Sequence, residues 1–166
     1  MNFEDIVKTL KAEFGETVKE AAPGTVVADP GEIEKIALFC RDNPLLDFKA
    51  LIALSGVDHP GRIEIVLHLA SYGKKHFLVI KTALDRNKPE ISTLENVWKT
   101  ANWHERECAE LLGVLFKGHS DPRKLLLPDD WLGYPLRKDY VPPTEYHGIS
   151  HSRHNPVEKK RGAPPS

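Results

Sequence analysis

The sequence predicts an α+β fold in which helices pack on a mainly antiparallel sheet, followed by a short helical region and an extended, proline-rich C-terminal arm. Three observations predict this fold. Two helical patterns occupy the first 43 residues, three strand-like runs with short turns follow, and eight of the 13 prolines lie in the last 47 residues. We therefore expect an α+β globular domain at residues 1–119 and an extended partner-binding arm at residues 120–166.

The N-terminal third contains two amphipathic helical patterns separated by a turn signal. Apolar residues at intervals of three and four predict a first helix over residues 3–14. The segment that follows predicts a hairpin that turns at Pro23 and Gly24. A second helix is expected after Asp29, a candidate N-cap, and it should end before Pro44.

The middle of the chain predicts the sheet. Its strand-like runs cover residues 51–57, 62–72 and 75–84, and turn-forming residues separate them. Connections this short join antiparallel neighbours. Apolar and polar residues alternate in the second run, so one face of the sheet should be buried and the other wetter. The two amphipathic helices are expected to cover the buried face.

Helical spacing returns in the segment Ile91–Val114. Ser92 or Thr93 is a candidate N-cap, and the segment could form two short helices that meet near Asn102. We predict that this region is helical and that it connects the sheet to the arm.

Composition and motifs exclude several classes of protein. The 166 residues include 23 basic and 24 acidic side chains, and a net charge of −1 argues against bulk binding of nucleic acid. The apolar runs are much shorter than the roughly 20 residues that span a bilayer, and the N-terminus does not resemble a secretory signal. Neither common phosphate-binding loop occurs, and two cysteines cannot by themselves ligate an iron–sulfur cluster, which needs about four thiolates.

The arm combines large apolar side chains with prolines that prevent regular structure. Prolines interrupt both helices and strands, so these side chains cannot build a core among themselves. They must lie either over the domain or on another protein. The apolar residues are Leu125, Leu126, Leu127, Trp131, Leu132, Leu136 and Tyr140.

Two other sites are conceivable from the residues alone. A free-standing thiol enzyme could use Cys108 with His104, which lie one turn apart on a helix. A metal could bind His147, His151 and His154 if the tail were helical, although Gly148 disfavours a helix there. The structural alternative is that Cys108 packs as a small apolar residue and that the tail is solvated or held by a partner.

The segment ERECAELLGVLFKGHSDPRKLLLPDDWLGYPLRKDY (residues 105–140) closely resembles the signature region of the C subunit of respiratory complex I, the proton-pumping NADH–quinone oxidoreductase. The matching residues are Glu105-Arg106-Glu107, Glu110, Leu111-Leu112, His119, Arg123, Leu125-Leu126 and a block from Gly133 to Tyr140. The family more often has Asp and Phe at positions 110 and 112, and His at position 134.

The resemblance implies a non-catalytic structural and assembly subunit of the peripheral arm of that complex, one that supports electron transfer to quinone. It implies that this chain binds no cofactor, and that FMN, iron–sulfur clusters and quinone belong to partner subunits. The partners would be the large quinone-pocket subunit and a neighbouring cluster-carrying subunit. The location would be peripheral, on the cytoplasmic side of the cell membrane, with membrane association only through the complex. The equivalent subunit of a related membrane-bound nickel–iron hydrogenase is the alternative.

From the motif and the arm together we predict a partner interface and no catalytic, cofactor or metal site. In this interpretation the Glu-Arg-Glu helix is a charged clamp. The predicted interface residues are Glu105, Arg106, Glu107, His119, Arg123, Leu125, Leu126, Leu127, Trp131, Arg137, Lys138, Asp139 and Tyr140.

Overall fold

The computed structural model describes residues 1–150, and these residues form three α-helices, one short 3-10 helix (Gly15–Thr17) and nine strands. The helices are α1 (Phe3–Phe14), α2 (Ile33–Asp42) and α3 (Ala101–Leu112). Asn2 caps α1, because its side chain accepts a hydrogen bond from the amide of Asp5 at 2.8 Å. The first helix therefore forms as its sequence pattern predicts.

The main sheet has five strands in the order β1-β2-β5-β4-β3. All neighbouring pairs are antiparallel except β2 and β5. This arrangement confirms the predicted α+β fold with a mainly antiparallel sheet, and the hairpin at Pro23 and Gly24 is also confirmed. The strands are β1 (Val18–Ala22), β2 (Thr25–Ala28), β3 (Ala50–His59), β4 (Arg62–Ser71) and β5 (His76–Asp85).

One apolar core joins α1 and α2 to one face of this sheet. In β4, Ile63, Ile65, Leu67 and Leu69 are buried, as their alternation in the sequence predicts, whereas His68 is exposed. The helices contribute apolar side chains at intervals of three and four. The largest fully buried residues of the core are Phe48, Ile6, Leu10, Ile33, Ile36, Leu46, Ile63, Ile65, Leu67, Leu69, Leu78 and Ile80.

The prediction of helix over the whole segment Ile91–Val114 is wrong for its first part. Strand β6 (Glu90–Ser92) pairs in parallel with β7 (Leu115–Lys117), and α3 begins only at Ala101. Neither Ser92 nor Thr93 caps a helix, because Thr93 directs its hydroxyl to a buried carboxylate of α3.

The predicted cap at Asp29 is wrong as well: α2 starts later, and the Asp29 side chain accepts a hydrogen bond from the amide of Gly31 in a local turn.

Helix α3 lies along β3, the strand at one edge of the main sheet. Thr100 donates its hydroxyl hydrogen bond to the carbonyl of Leu51, and Leu112 lies so close to Gly56 that a Cβ there would collide with it. A long edge strand exposes unpaired backbone groups to other chains, and covering it is a common protection. The contact therefore protects the edge and fixes α3 relative to the sheet.

Two further strands, β8 (Glu145–Tyr146) and β9 (Ile149–Ser150), form a short hairpin at the end of the described region. Within residues 1–150, none of the helices has the length and apolar character needed to cross a membrane.

Candidate functional site

The first glutamate of the signature motif points into the protein. Glu105 is fully buried and accepts hydrogen bonds from the Thr93 hydroxyl at 2.5 Å and the Leu94 amide at 2.6 Å. Burial raises the pKa of this carboxyl group to about 7, even though both donors favour the charged form. The Glu105 carboxylate therefore holds the segment after β6 against α3.

A second buried carboxylate connects the same region to the start of the arm. Glu95 accepts from the Asn102 amide group at 2.7 Å, and from the backbone and hydroxyl of Ser120 at 2.8 and 3.0 Å. The His119 ring lies between Glu95 and Glu105, with Nε2 at 3.8 and 3.9 Å from their oxygens. We call this group, Thr93, Glu95, Glu105, His119 and Ser120, the polar cluster.

The contacts of His119 define which ring nitrogen carries the proton. Nδ1 lies 3.0 Å from the backbone amide of Asp121, which can only donate, so Nδ1 accepts. Nε2 lies 3.0 Å from the carbonyl of Asn102, which can only accept, so Nε2 carries the proton. The imidazole thereby joins α3 to the first residues of the arm.

Arg106 and Glu110 bind the backbone of the arm from two successive turns of α3. Arg106 donates to the carbonyls of Arg123 and Lys124 at 2.9 and 3.1 Å. The Glu110 carboxylate accepts from three successive backbone amides at 2.9 to 3.1 Å, those of Leu125, Leu126 and Leu127. Successive amides that converge on one anion form a strong, charge-assisted contact. This contact fixes the base of the arm without any regular secondary structure.

Lys124 organises the next part of the arm. Its ammonium group donates to three carbonyls, those of Pro128, Asp129 and Trp131, at 3.1, 2.9 and 2.9 Å. A segment that prolines exclude from helices and sheets must satisfy its backbone groups in another way. Here charged side chains supply the partners.

The block from Pro135 to Tyr140 is attached to the C-terminal end of α3 and to Asp58 and Arg86 of the sheet region. Arg137 donates to the carbonyl of Leu112 at 2.7 Å, and the amide of Lys138 donates to the buried carboxylate of Asp58 at 2.8 Å. Arg86 binds both oxygens of Asp58 and both oxygens of Asp139, with distances from 2.7 to 3.1 Å. The Arg86 guanidinium holds the pKa of Asp58 well below its usual range.

Two tyrosine rings of the arm pack on glycines. The Tyr134 ring lies against Gly113, which ends α3 with φ +72°, and the Tyr140 ring lies against Gly133, with φ +80°. The guanidinium of Arg137 lies 4.8 Å from the centre of the Tyr134 ring, a cation–π distance. At these positions only glycine provides both the backbone angle and the space for the ring.

Replacing Gly113 with alanine should destabilise the protein by about 1–3 kcal/mol, because the left-handed backbone angle is unfavourable and the new methyl group meets the Tyr134 ring. Urea unfolding measures the change. Gly61 also has a positive φ but nothing lies near its Cβ position, so Gly61→Ala is the control and should cost less. Equal losses at the two positions would show that Tyr134 does not pack on Gly113.

The apolar side chains of the arm face outward from these attachments. Leu125, Leu127, Trp131 and Tyr140 are half-buried. The exposed fractions of the more exposed residues are 84% for Leu132, 83% for Val141, 68% for Ile149, 62% for Leu126 and 59% for Leu136. We call these five exposed side chains the apolar surface of the arm.

The structure thus divides the predicted interface residues into two groups. The polar groups of Glu105, Arg106, His119, Arg137 and Asp139 are bound within the chain, whereas Glu107 and Leu126 are exposed. Arg123 is exposed and pairs with Asp121 at 2.7 Å. Contacts between the predicted interface residues and a partner stay a prediction. Sequence reasoning missed Asp58, Arg86, Glu95 and Lys124, because each binds a segment distant in sequence or a bare backbone.

The environment of Cys108 does not suit a thiol nucleophile. Its side chain is buried, and burial raises the pKa of the thiol to about 12, so the reactive thiolate is scarce at neutral pH.

Of the three tail histidines, His147 lies 2.8 Å from Asp130, while His151 and His154 lie outside the described residues. Among residues 1–150, no cluster of three or more histidine, cysteine or acidic side chains is arranged to hold a metal ion.

The buried Glu105 carboxyl predicts a pH dependence of stability. Its folded pKa of about 7 lies above its unfolded value of 4.5, so the folded state holds the proton more tightly and is stabilised as pH falls from 7 toward 4.5. Between pH 7.5 and pH 5.5 the wild type should gain about 2 kcal/mol of unfolding free energy relative to Glu105→Gln, which cannot titrate. Urea unfolding of both proteins at the two pH values measures this gain. If the wild type and Glu105→Gln differ in unfolding free energy by the same amount at both pH values, the carboxyl group does not titrate in this range.

Comparisons with known proteins agree with the motif. Residues 26–146 match the family described as the 30 kDa subunit of the respiratory-chain NADH dehydrogenase. The C subunit of the NADH-quinone oxidoreductase of Chlorobium phaeobacteroides is 42% identical over 148 residues, covering 84% of this chain and 89% of that protein. The C subunit of the F420H2 dehydrogenase of Methanosarcina mazei is 38% identical over 148 residues, covering 84% and 92%.

A solved structure shares the fold. It is a chain of the membrane-bound sulfane sulfur reductase, an archaeal respiratory membrane complex. The TM-score is 0.68 and the sequence identity is 24%, and the match covers 95% of this chain and 90% of that chain. The family match spans most of the chain and includes nearly all of the signature helix and the described arm. This chain belongs to the family of the 30 kDa subunit of the respiratory-chain NADH dehydrogenase.

Proposed function

We propose that this chain is a non-catalytic assembly subunit in the peripheral arm of a complex I-type oxidoreductase that delivers electrons to quinone. Residues 1–119 are the folded domain, and the arm docks on the large quinone-pocket subunit and a neighbouring cluster-carrying subunit. The chain binds no cofactor and reaches the cytoplasmic side of the cell membrane only as part of the complex. The relatives named above, which are subunits of quinone and F420H2 oxidoreductases, support this role.

One observation supports docking above all others. The chain uses its charged side chains to fix the arm's backbone, and the apolar surface of the arm is left facing outward. Scattered exposed apolar residues are ordinary, but five within residues 126–149, on an arm that charged side chains anchor at several points, are typical of a binding surface. Each Å² that a partner covers would contribute roughly 25 cal/mol.

Three kinds of complex remain to be distinguished. One takes electrons from NADH, one takes electrons from F420H2, and the third is the related membrane-bound nickel–iron hydrogenase. The donor is bound by other subunits in this proposal. Isolation of the intact complex through a tag on this chain, followed by identification of the copurifying chains, separates the three.

Assembly tests the proposed role. We expect the triple variant Leu126→Ser, Leu132→Ser, Val141→Ser to keep the wild-type Tm, because these side chains are exposed, but to copurify with its complex at a small fraction of the wild-type yield. The measurement uses tagged subunits in a host that lacks its own copy of the gene.

The matched control is the double variant Val27→Ser, Val57→Ser, which changes exposed apolar residues of the main sheet. It should assemble normally. Normal assembly of the triple variant would remove the proposal, and so would quinone reduction by the isolated chain.

A further inference from the structure

A concave surface lies at the start of β3, at the opposite end of that strand from the place where the Pro135–Tyr140 block of the arm attaches. Its volume is about 540 Å³, and its walls include Ile52, Tyr72 and the segment from Val97 to Thr100. The Pro135–Tyr140 block of the arm attaches at Asp58 near the other end of β3, roughly 20 Å away at about 3.3 Å per residue. The concave surface is therefore separate from that part of the arm.

The walls of this concavity present large apolar side chains to solvent. Tyr72 is 73% exposed and Ile52, at an irregularity in the pairing of β3, is 49% exposed. The opposite wall is rigid: Trp98 is buried and donates to the carbonyl of Phe48 at 3.0 Å, and Thr100 donates to Leu51. Exposed aromatic and aliphatic residues around a preformed hollow are typical of anchor sites for a partner's side chains.

Lysines line this concavity or follow its wall residue Tyr72 in the chain, although the whole chain is nearly neutral. Lys49 and Lys99 line the concavity, and Lys74 and Lys75 follow Tyr72 in the turn between β4 and β5. The nearby acids Asp42 and Asp47 already pair with Arg41 and Lys49. In the described part of the chain, no carboxylate lies within 4 Å of Lys74, Lys75 or Lys99. Among residues 1–150, these three exposed lysines therefore lack a counter-charge.

We infer that this concavity is a second docking surface, and that it receives an acidic segment of a partner protein with an apolar side chain flanked by carboxylates. The apolar residue would enter between Ile52 and Tyr72, and the carboxylates would meet the nearby lysines. The two surfaces at the ends of β3 would let this subunit bridge two partners.

Charge and shape favour a protein segment over a membrane surface. Anionic lipid headgroups would also attract the lysines. The concavity is open, but its volume of about 540 Å³ and its two exposed apolar side chains, Ile52 and Tyr72, match a short peptide segment. The lysines alone would give weak, salt-sensitive attraction, so the apolar walls must supply much of the affinity.

Photo-cross-linking of the intact complex tests the inference. A photoreactive phenylalanine analogue replaces Tyr72 in the full-length tagged chain, and mass spectrometry identifies the adduct. We expect an adduct with an acidic segment of another subunit. The double variant Lys74→Glu, Lys99→Glu should reduce its yield about tenfold, the change produced by 1.4 kcal/mol.

Matched controls keep the outcome specific. The analogue at Trp103, an aromatic on α3 that is 64% exposed, should not give the same adduct, and Lys8→Glu on the exposed surface of α1 should leave the yield unchanged. A lipid adduct, a partner segment without acidic residues, a yield insensitive to charge reversal, or no adduct in an assembled complex would overturn the inference.

Discussion

Replacing Arg86 with alanine is expected to cost about 3 kcal/mol of unfolding free energy, at the lower end for a broken buried ion pair because Arg86 is partly exposed. The variant leaves the buried Asp58 carboxylate without its cation and releases Asp139 of the arm. Urea unfolding at pH 7 measures the loss. Lys88→Ala, which removes an exposed lysine paired with Glu90, is the control and should cost well under 1 kcal/mol.

The same variant should change the response to acid. Because Arg86 lowers the pKa of Asp58 in the folded state, the pair stabilises the wild type above the ordinary aspartate pKa, and this stabilisation is lost as pH falls below about 4. Arg86→Ala should therefore lose less stability than the wild type between pH 5 and pH 3. Parallel acid sensitivity of the two proteins would show that the pair does not form.

Replacing Glu110 with alanine should release the base of the arm while leaving the main sheet intact. Three amides lose a charged acceptor, so hydrogen exchange at Leu125, Leu126 and Leu127 should become about a hundredfold faster, which corresponds to roughly 3 kcal/mol. Amide exchange followed by mass spectrometry measures this. The effect should be confined to the arm and α3, because the hydrogen bonds of this carboxylate in the described structure go to amides of the arm and to no strand of the main sheet.

Two variants calibrate that result. Glu110→Asp keeps the charge but shortens the side chain, so it should give an intermediate rate. Glu107→Ala removes an exposed carboxylate from the same helix and should leave exchange in the arm unchanged. Slow exchange in Glu110→Ala would mean that other contacts, such as those of Arg106, suffice to hold the arm.

The three antiparallel strands β3, β4 and β5 could be predicted from the sequence because their determinants are local, whereas the parallel pairing of β2 with β5 could not. Alternation in β4 defines the buried face, and the short turns between β3, β4 and β5 leave antiparallel pairing as the available arrangement. The segment from Ile91 to Thr100 could not be predicted in this way. Its apolar residues have helical spacing, but Ile91 pairs with Phe116 and Thr93 binds Glu105, so tertiary contacts override the local pattern.

The motif was recognisable from the sequence, but the direction of its side chains was not. A glutamate on a helix beside an arginine looks like a surface ion pair. The structure instead buries Glu105 and directs Glu110 to backbone amides of the arm, which have no signature in sequence. The apolar character of the arm was evident, since it depends on composition and on prolines rather than on the path of the chain.

We propose that the chain fixes the backbone of its own arm and offers the arm's apolar surface to a partner. Carbene footprinting of the free chain and of the assembled complex tests this claim most directly, because it reports the exposure of side chains without mutating them. We expect Leu132, Leu136 and Val141 to be labelled strongly in the free chain and to be protected in the complex, with Val27 labelled in both. Equal labelling of the arm in the two states would contradict the account.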